Sequence, residues 1–144
     1  MNRKLQMLLV EDSEADARLI LEVMKDQNVA VDISVVRDGE EAMSYLYKQN
    51  GYEKVSRPDL IVLDLNMPKK DGREVLAELK ANLDLRSIPV LILTTSNSDE
   101  DIVKSYKLQA SCYVTKPMDL DKFSDIVKSM DQFWFANVRF PHRR

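Results

Sequence analysis

With 144 residues, 44% of them hydrophobic, the chain has the size of one domain with a sizeable core and no room for two. Lys and Arg number 21 against 24 Asp and Glu, and the net charge of -3 with a pI near 5.2 argues against a general nucleic-acid binder. One cysteine, Cys112, excludes an internal disulfide and a cysteine-based zinc cage, and its apolar neighbours mark an inert core thiol.

The only histidine, His142, stands third from the end, which argues against histidine catalysis in the core. The opening MNRKLQMLLVED has an apolar part too short for a signal sequence, and no run reaches membrane-spanning length, so a cytoplasmic protein without membrane contact is expected. Leu5 to Val10 reads as a first strand. Ser13 with Asp16 fits a capping box opening a helix whose apolar positions Ala17, Ile20, Leu21 and Met24 recur at helical spacing. A second strand spans Ile33 to Val36, and Asp38 with Glu41 opens a helix through Ala42, Leu46 and Tyr47. Lys48 to Pro58 is a long polar connector.

The third strand, Leu60 to Leu63, is apolar without alternation, the mark of a strand covered on both faces in a parallel sheet. It ends abruptly in an acid, Asp64. Asp71 and Glu74 cap a helix bearing Val75, Leu76 and Leu79, and Pro89 precedes a fourth strand, Val90 to Thr94. Thr95 to Asp99 reads as a loop, Glu100 to Leu108 as a helix and Cys112 to Val114 as a short fifth strand. Asp119 opens a final helix that continues past Phe133. Such regular alternation of strands and helices is the sequence form of a doubly wound α/β sheet.

Ligands of open α/β sheets bind beyond the carboxyl ends of the strands. Here those positions hold Glu11 and Asp12, Asp64, Thr94, and Lys116 with Pro117. Singly, each has an ordinary explanation as a helix-start acid, a strand residue or a solvated charge. Together they bring three carboxylates, a hydroxyl and an ammonium to one edge, and converging acids repel unless a cation neutralises them. Mg2+ prefers oxygen ligands and commonly joins one or two carboxylates to a phosphate. Asp64 is then placed to attack a phosphoryl group as a carboxylate nucleophile, with Lys116 and Thr94 on the equatorial oxygens.

These residues, in this order and spacing, resemble the receiver domains of two-component response regulators, and the resemblance covers residues 5 to about 130. It implies a flavodoxin-like, five-stranded parallel sheet of order 2-1-3-4-5 with helices on both faces. It also implies that Asp64 accepts phosphate from a histidine kinase, with Mg2+ held by Glu11, Asp12, Asp64 and the backbone carbonyl of Asn66. Thr94 and Tyr113 would be the switch residues, Lys116 would pair with the phosphoryl group, and Pro117 would follow a cis peptide bond, a form found mainly before proline. In this reading the chain is no enzyme on a separate substrate; it is a phosphoacceptor that takes part in its own phosphorylation and dephosphorylation. DLNMPKKDGREVLAELK, the LTTS after strand four, the connector before Arg57-Pro58-Asp59 and the terminal FW with a later Phe-Pro look like the small single-domain regulators paired with bacterial phytochrome kinases. Thr95 departs from the wider family, where a smaller alanine is frequent, and bears on access to the phosphoryl site.

Three other readings compete. An Asp-nucleophile phosphatase needs a second Asp as general acid two residues on, where this chain has Asn66. A structural pseudo-receiver would be expected to have lost its acceptor set, which here is complete. A flavin carrier with the same strand order would need a phosphate-cradling first loop, and EDSEAD would repel a phosphate.

Residues 1–130 are therefore expected to form the receiver, and 131–144 the end of the last helix and a tail. The helix carries Leu120, Phe123, Val127, Met130 and Trp134 along one stripe, and Phe135 points about 120° away from Phe123. Phe133, Trp134, Phe135, Val138 and Phe140 are the expected interface of a homodimer, since clustered aromatics are common interface anchors.

Overall fold

Leu5–Val10 forms β1, whose backbone pairs on both sides with parallel neighbours. The computed structural model describes residues 4–27, 30–67, 69–94, 112–115 and 120–137, with the backbone alone at 94, 112, 113, 115, 120 and 130–137. The remaining strands are β2 (Val31–Val36), β3 (Leu60–Leu63), β4 (Val90–Thr94) and β5 (Cys112–Thr115). The helices are α1 (Glu14–Asp26), α2 (Gly39–Leu46), α3 (Gly72–Ala81) and α4 (Leu120–Asn137). Every strand pair is parallel: the order β2-β1-β3-β4 is extended by β5, with Thr94 opposite Thr115. The α/β fold expected from the alternating apolar runs is the fold observed.

The absence of alternation in β1 and β3 has its cause in two separate cores. Leu8, Val10, Ile61 and Leu63 point to one face, where Ala42, Met43 and Leu46 of α2 and Val75, Leu76 and Leu79 of α3 cover them. Met7, Leu9, Leu60 and Val62 point to the other, against Ala17, Ile20 and Met24 of α1 and Phe123 and Val127 of α4. Successive side chains of a strand alternate between faces, so a strand covered twice must be apolar throughout.

Several expectations need correction in detail. Leu21 is 40% exposed, so the buried stripe of α1 is Ala17, Ile20 and Met24 without it. β2 starts two residues early, at Val31, because its pairing continues to Leu5 of β1. Helix α2 ends at Leu46; the Tyr47 ring is exposed, and its hydroxyl donates to Glu78 at 2.6 Å. Only the Asp71 and Glu74 pair makes the full reciprocal box. Ser13 and Asp38 accept from the amides of Asp16 and Glu41, but the Ser13 amide donates to Glu11 and the Glu41 carboxylate accepts from Arg37. The helix expected at 100–108 and the loop before it lie outside the described residues, as does the side chain of Cys112.

Asp59 was given no role by the sequence. It is buried, its amide donates to the Gln6 carbonyl at 2.7 Å, and its carboxylate accepts from the Gln6 amide at 2.9 Å. The pair closes the amino end of the sheet, opposite the edge where the acids gather.

Candidate functional site: an acidic cluster at the carboxyl edge of the sheet

Val10 stands opposite Val36 on one side and Leu63 on the other, so β1 and β3 end at the same level and deliver Glu11 and Asp64 side by side. Two backbone bonds extend the ladder past the strands: Glu11 N–H to Val36 C=O at 3.0 Å, and Asp64 N–H to Val10 C=O at 3.1 Å. Carboxylate oxygens of Glu11, Asp12 and Asp64 all lie within 4.8 Å of one another. Glu11 and Asp64 are buried, whereas Asp12 faces solvent.

The buried acids are held by amides of the chain that follows them. Ser13 N–H donates to Glu11 Oε2 at 3.1 Å, and Asn66 N–H donates to Asp64 Oδ1 at 3.0 Å. Such bonds fix carboxylate orientation and offset part of the cost of burial. Three carboxylates at this spacing form an oxygen-only donor set with one side open, which suits a hard dication that keeps several waters.

Two glycines set the loop after β3. A Cβ on Gly72 would sit 2.2 Å from the Asp64 carbonyl oxygen, and the Gly72 amide donates to the Leu65 carbonyl at 3.0 Å. A Cβ on Gly39 would sit 2.0 Å from the Lys70 carbonyl oxygen. Both follow a capping aspartate, Asp38 or Asp71, at a helix start where glycine gives the helix no advantage. The repeated Asp-Gly was therefore a readable signal of close backbone approach.

Among the residues expected at the site, the structure brings together Glu11, Asp12 and Asp64, with the amide of Asn66 bonded to Asp64. Thr94 ends β4, one residue past the level of Asp64, since Leu63 stands opposite Ile92. Tyr113 lies on β5 opposite Ile92. Lys116, Pro117, Val138 and Phe140 lie outside the described residues, as do the side chains of Thr94, Tyr113, Phe133, Trp134 and Phe135. A cavity of about 430 Å³ opens elsewhere, between α2 and the Lys69-Lys70 turn, and no member of the acidic cluster lines it.

Residues 7–128 match the response regulator receiver domain family, most of the chain and all of the described acidic edge. The chain is a response regulator receiver domain. Response regulator Rcp1 of Synechocystis is 49% identical to this receiver over 134 residues, which is 93% of this chain and 91% of Rcp1. The solved structure of the phosphorylated cyanobacterial phytochrome response regulator RcpA superposes with a TM-score of 0.82 at 47% identity, covering 96% of this chain and 99% of that one. An Mn2+-bound structure of Rcp1 superposes with a TM-score of 0.80 at 48% identity, covering 94% and 98%. This receiver thus has the same fold as relatives solved in phosphorylated and metal-bound forms. Among the described residues, no helix is long and apolar enough to cross a membrane.

Proposed function

We propose that this receiver is a phosphoacceptor of a two-component phosphorelay, taking a phosphoryl group on Asp64 from the phosphohistidine of a histidine kinase. The observation that carries the reading is the convergence of Glu11, Asp12 and Asp64 within 4.8 Å at the carboxyl edge of the sheet. An oxygen of Asp64 attacks phosphorus, the P–N bond to the donor imidazole breaks, and the imidazole leaves with a proton. Glu11, Asp12, Asp64 and the backbone carbonyl of Asn66 hold Mg2+, which neutralises the charge of the carboxylates and the phosphoryl oxygens. Lys116 pairs with the phosphoryl group, while Thr94 and Tyr113 respond to it. The receiver is accordingly a partner in its own phosphorylation and dephosphorylation and has no separate small-molecule substrate.

Similarity to RcpA over almost the full length of both chains supports a bacterial phytochrome kinase as the donor to this receiver. Its output is then association: a homodimer through the end of α4 and the residues after it. With Mg2+ and acetyl phosphate, the protein should gain one acid-stable, base-labile phosphoryl group, and Asp64→Asn should gain none. Equal labelling of the variant in intact-mass spectrometry would overturn the assignment.

A further inference from the structure

The acceptor loop does not rest on its own strand and helix alone. We propose that Asp38 and Gly39, at the start of α2, are positioning residues for the phosphoacceptor site, holding the Lys69–Gly72 segment against the backbone of Asp64. This rests on the reading of Asp64 as acceptor and extends it to a helix that contributes no residue to the acidic cluster.

Three contacts make the connection. The two oxygens of Asp38 serve different elements: Oδ1 accepts the Glu41 amide at 2.8 Å and caps α2, while Oδ2 pairs with Lys69 Nζ at 3.5 Å. Asp38 is 15% exposed but Lys69 is 62% exposed, so solvent screens the lysine side of the pair and its energy is modest; it orients the turn more than it stabilises it. Lys69 itself has a φ of 62°, a left-handed conformation that a lysine adopts at a cost and keeps only where its surroundings impose it. Next to it, the missing Cβ of Gly39 leaves room for the Lys70 carbonyl, which a Cβ would approach to 2.0 Å. Any other residue at 39 must push Lys70 away, because the obstacle is backbone and cannot rotate aside.

From Lys70 the displacement has a short path to the acid. Two residues on, Gly72 packs on the Asp64 carbonyl, where a Cβ would meet it at 2.2 Å, and bonds to the Leu65 carbonyl at 3.0 Å. The helix start, the turn and the acceptor backbone are therefore stacked without an intervening side chain. Lys70 is also tied down from the far side, by its ion pair with Glu78 of α3.

The experiment compares Gly39→Ala, Asp38→Asn and Ala42→Gly with the wild type by calorimetric Mg2+ titration and by amide hydrogen exchange at Gly72. Asparagine caps a helix as well as aspartate but loses the charge that pairs with Lys69, and Ala42→Gly weakens α2 one turn away from the contact with Lys70. Gly39→Ala should weaken Mg2+ binding roughly ten- to a hundred-fold, the range that loss of outer support costs metal sites. Asp38→Asn should weaken it less, both should speed exchange of the Gly72 amide, and Ala42→Gly should change neither. If Gly39→Ala does not fold, the Asp38→Asn result decides alone. Wild-type Mg2+ affinity and Gly72 exchange in Asp38→Asn or a folded Gly39→Ala would overturn the positioning role while leaving Asp64 as acceptor. Equal effects in Ala42→Gly would overturn it too, by reducing it to helix stability. A wild type that neither binds Mg2+ nor labels on Asp64 would overturn the acceptor reading itself.

Discussion

Tyr52 and Glu78, on the α2 side of the sheet, are tuned by hydrogen bonds more than by burial. Tyr52 donates to Glu41 Oε2 at 2.5 Å, and that bond, followed by desolvation, pushes the phenol up to about 12. Glu78 is held below the usual carboxylate range first by its bond from Lys70 and then by the Tyr47 hydroxyl. The sign for Tyr52 follows from linkage: its folded value is raised above the ordinary 10, so its contribution is complete below about pH 10 and is lost as pH rises toward 12. Alkaline titration of phenolate absorbance should show Tyr47, raised first by its bond to Glu78, and Tyr52 ionising above the ordinary range, with Tyr52 the later of the two. In Tyr52→Phe that last step should vanish, and its persistence would assign the shift to another ring.

At the scale of elements, capping and packing make separable contributions. Asp71 carries the one complete reciprocal box among the described residues, and replacing it with alanine should cost about 1 kcal/mol, the usual value of a cap. Phe123 of α4 is 1% exposed and packs among strand residues and α1, so Phe123→Ala should cost about 3–5 kcal/mol. Urea unfolding of the two variants measures both. A smaller loss for Phe123→Ala than for Asp71→Ala would mean that α4 is not docked on the α1 face. The cavity between α2 and the Lys69-Lys70 turn belongs to this scale as well. It lies over the segment that α2 holds, and its lining includes Lys69 and Lys70.

For the whole molecule, the arrangement separates support from exchange with partners. The acids lie at one sheet edge, the Asp59 and Gln6 bonds close the opposite edge, and both faces of the sheet are occupied by helices. Sedimentation equilibrium of wild type and a Phe135→Ala/Phe140→Ala double variant tests the proposed homodimer. A wild-type dimer that the variant loses is the expected outcome, and a wild type that stays monomeric with and without acetyl phosphate removes the dimer from the proposal.

The sequence by itself determined the α/β class, the positions of the described strands and helices to within a few residues, and the identity of the acidic set. It could do so because these depend on local pattern: uninterrupted apolar runs for doubly covered strands, helical spacing for the helices, and acids immediately after β1 and β3. It misjudged Leu21 and Tyr47, whose apolar character fitted the period while both side chains stay exposed, Tyr47 reaching α3 only through its hydroxyl bond to Glu78. Only the tertiary structure decided that Glu11 and Asp64 stand level, since that depends on the register of Val10 with Leu63 across more than fifty intervening residues. It alone decided which backbone the glycines after Asp38 and Asp71 approach, the Lys70 carbonyl for Gly39 and the Asp64 carbonyl for Gly72. Register and close approach belong to pairs of segments, and no single segment of the chain encodes which partner it will meet.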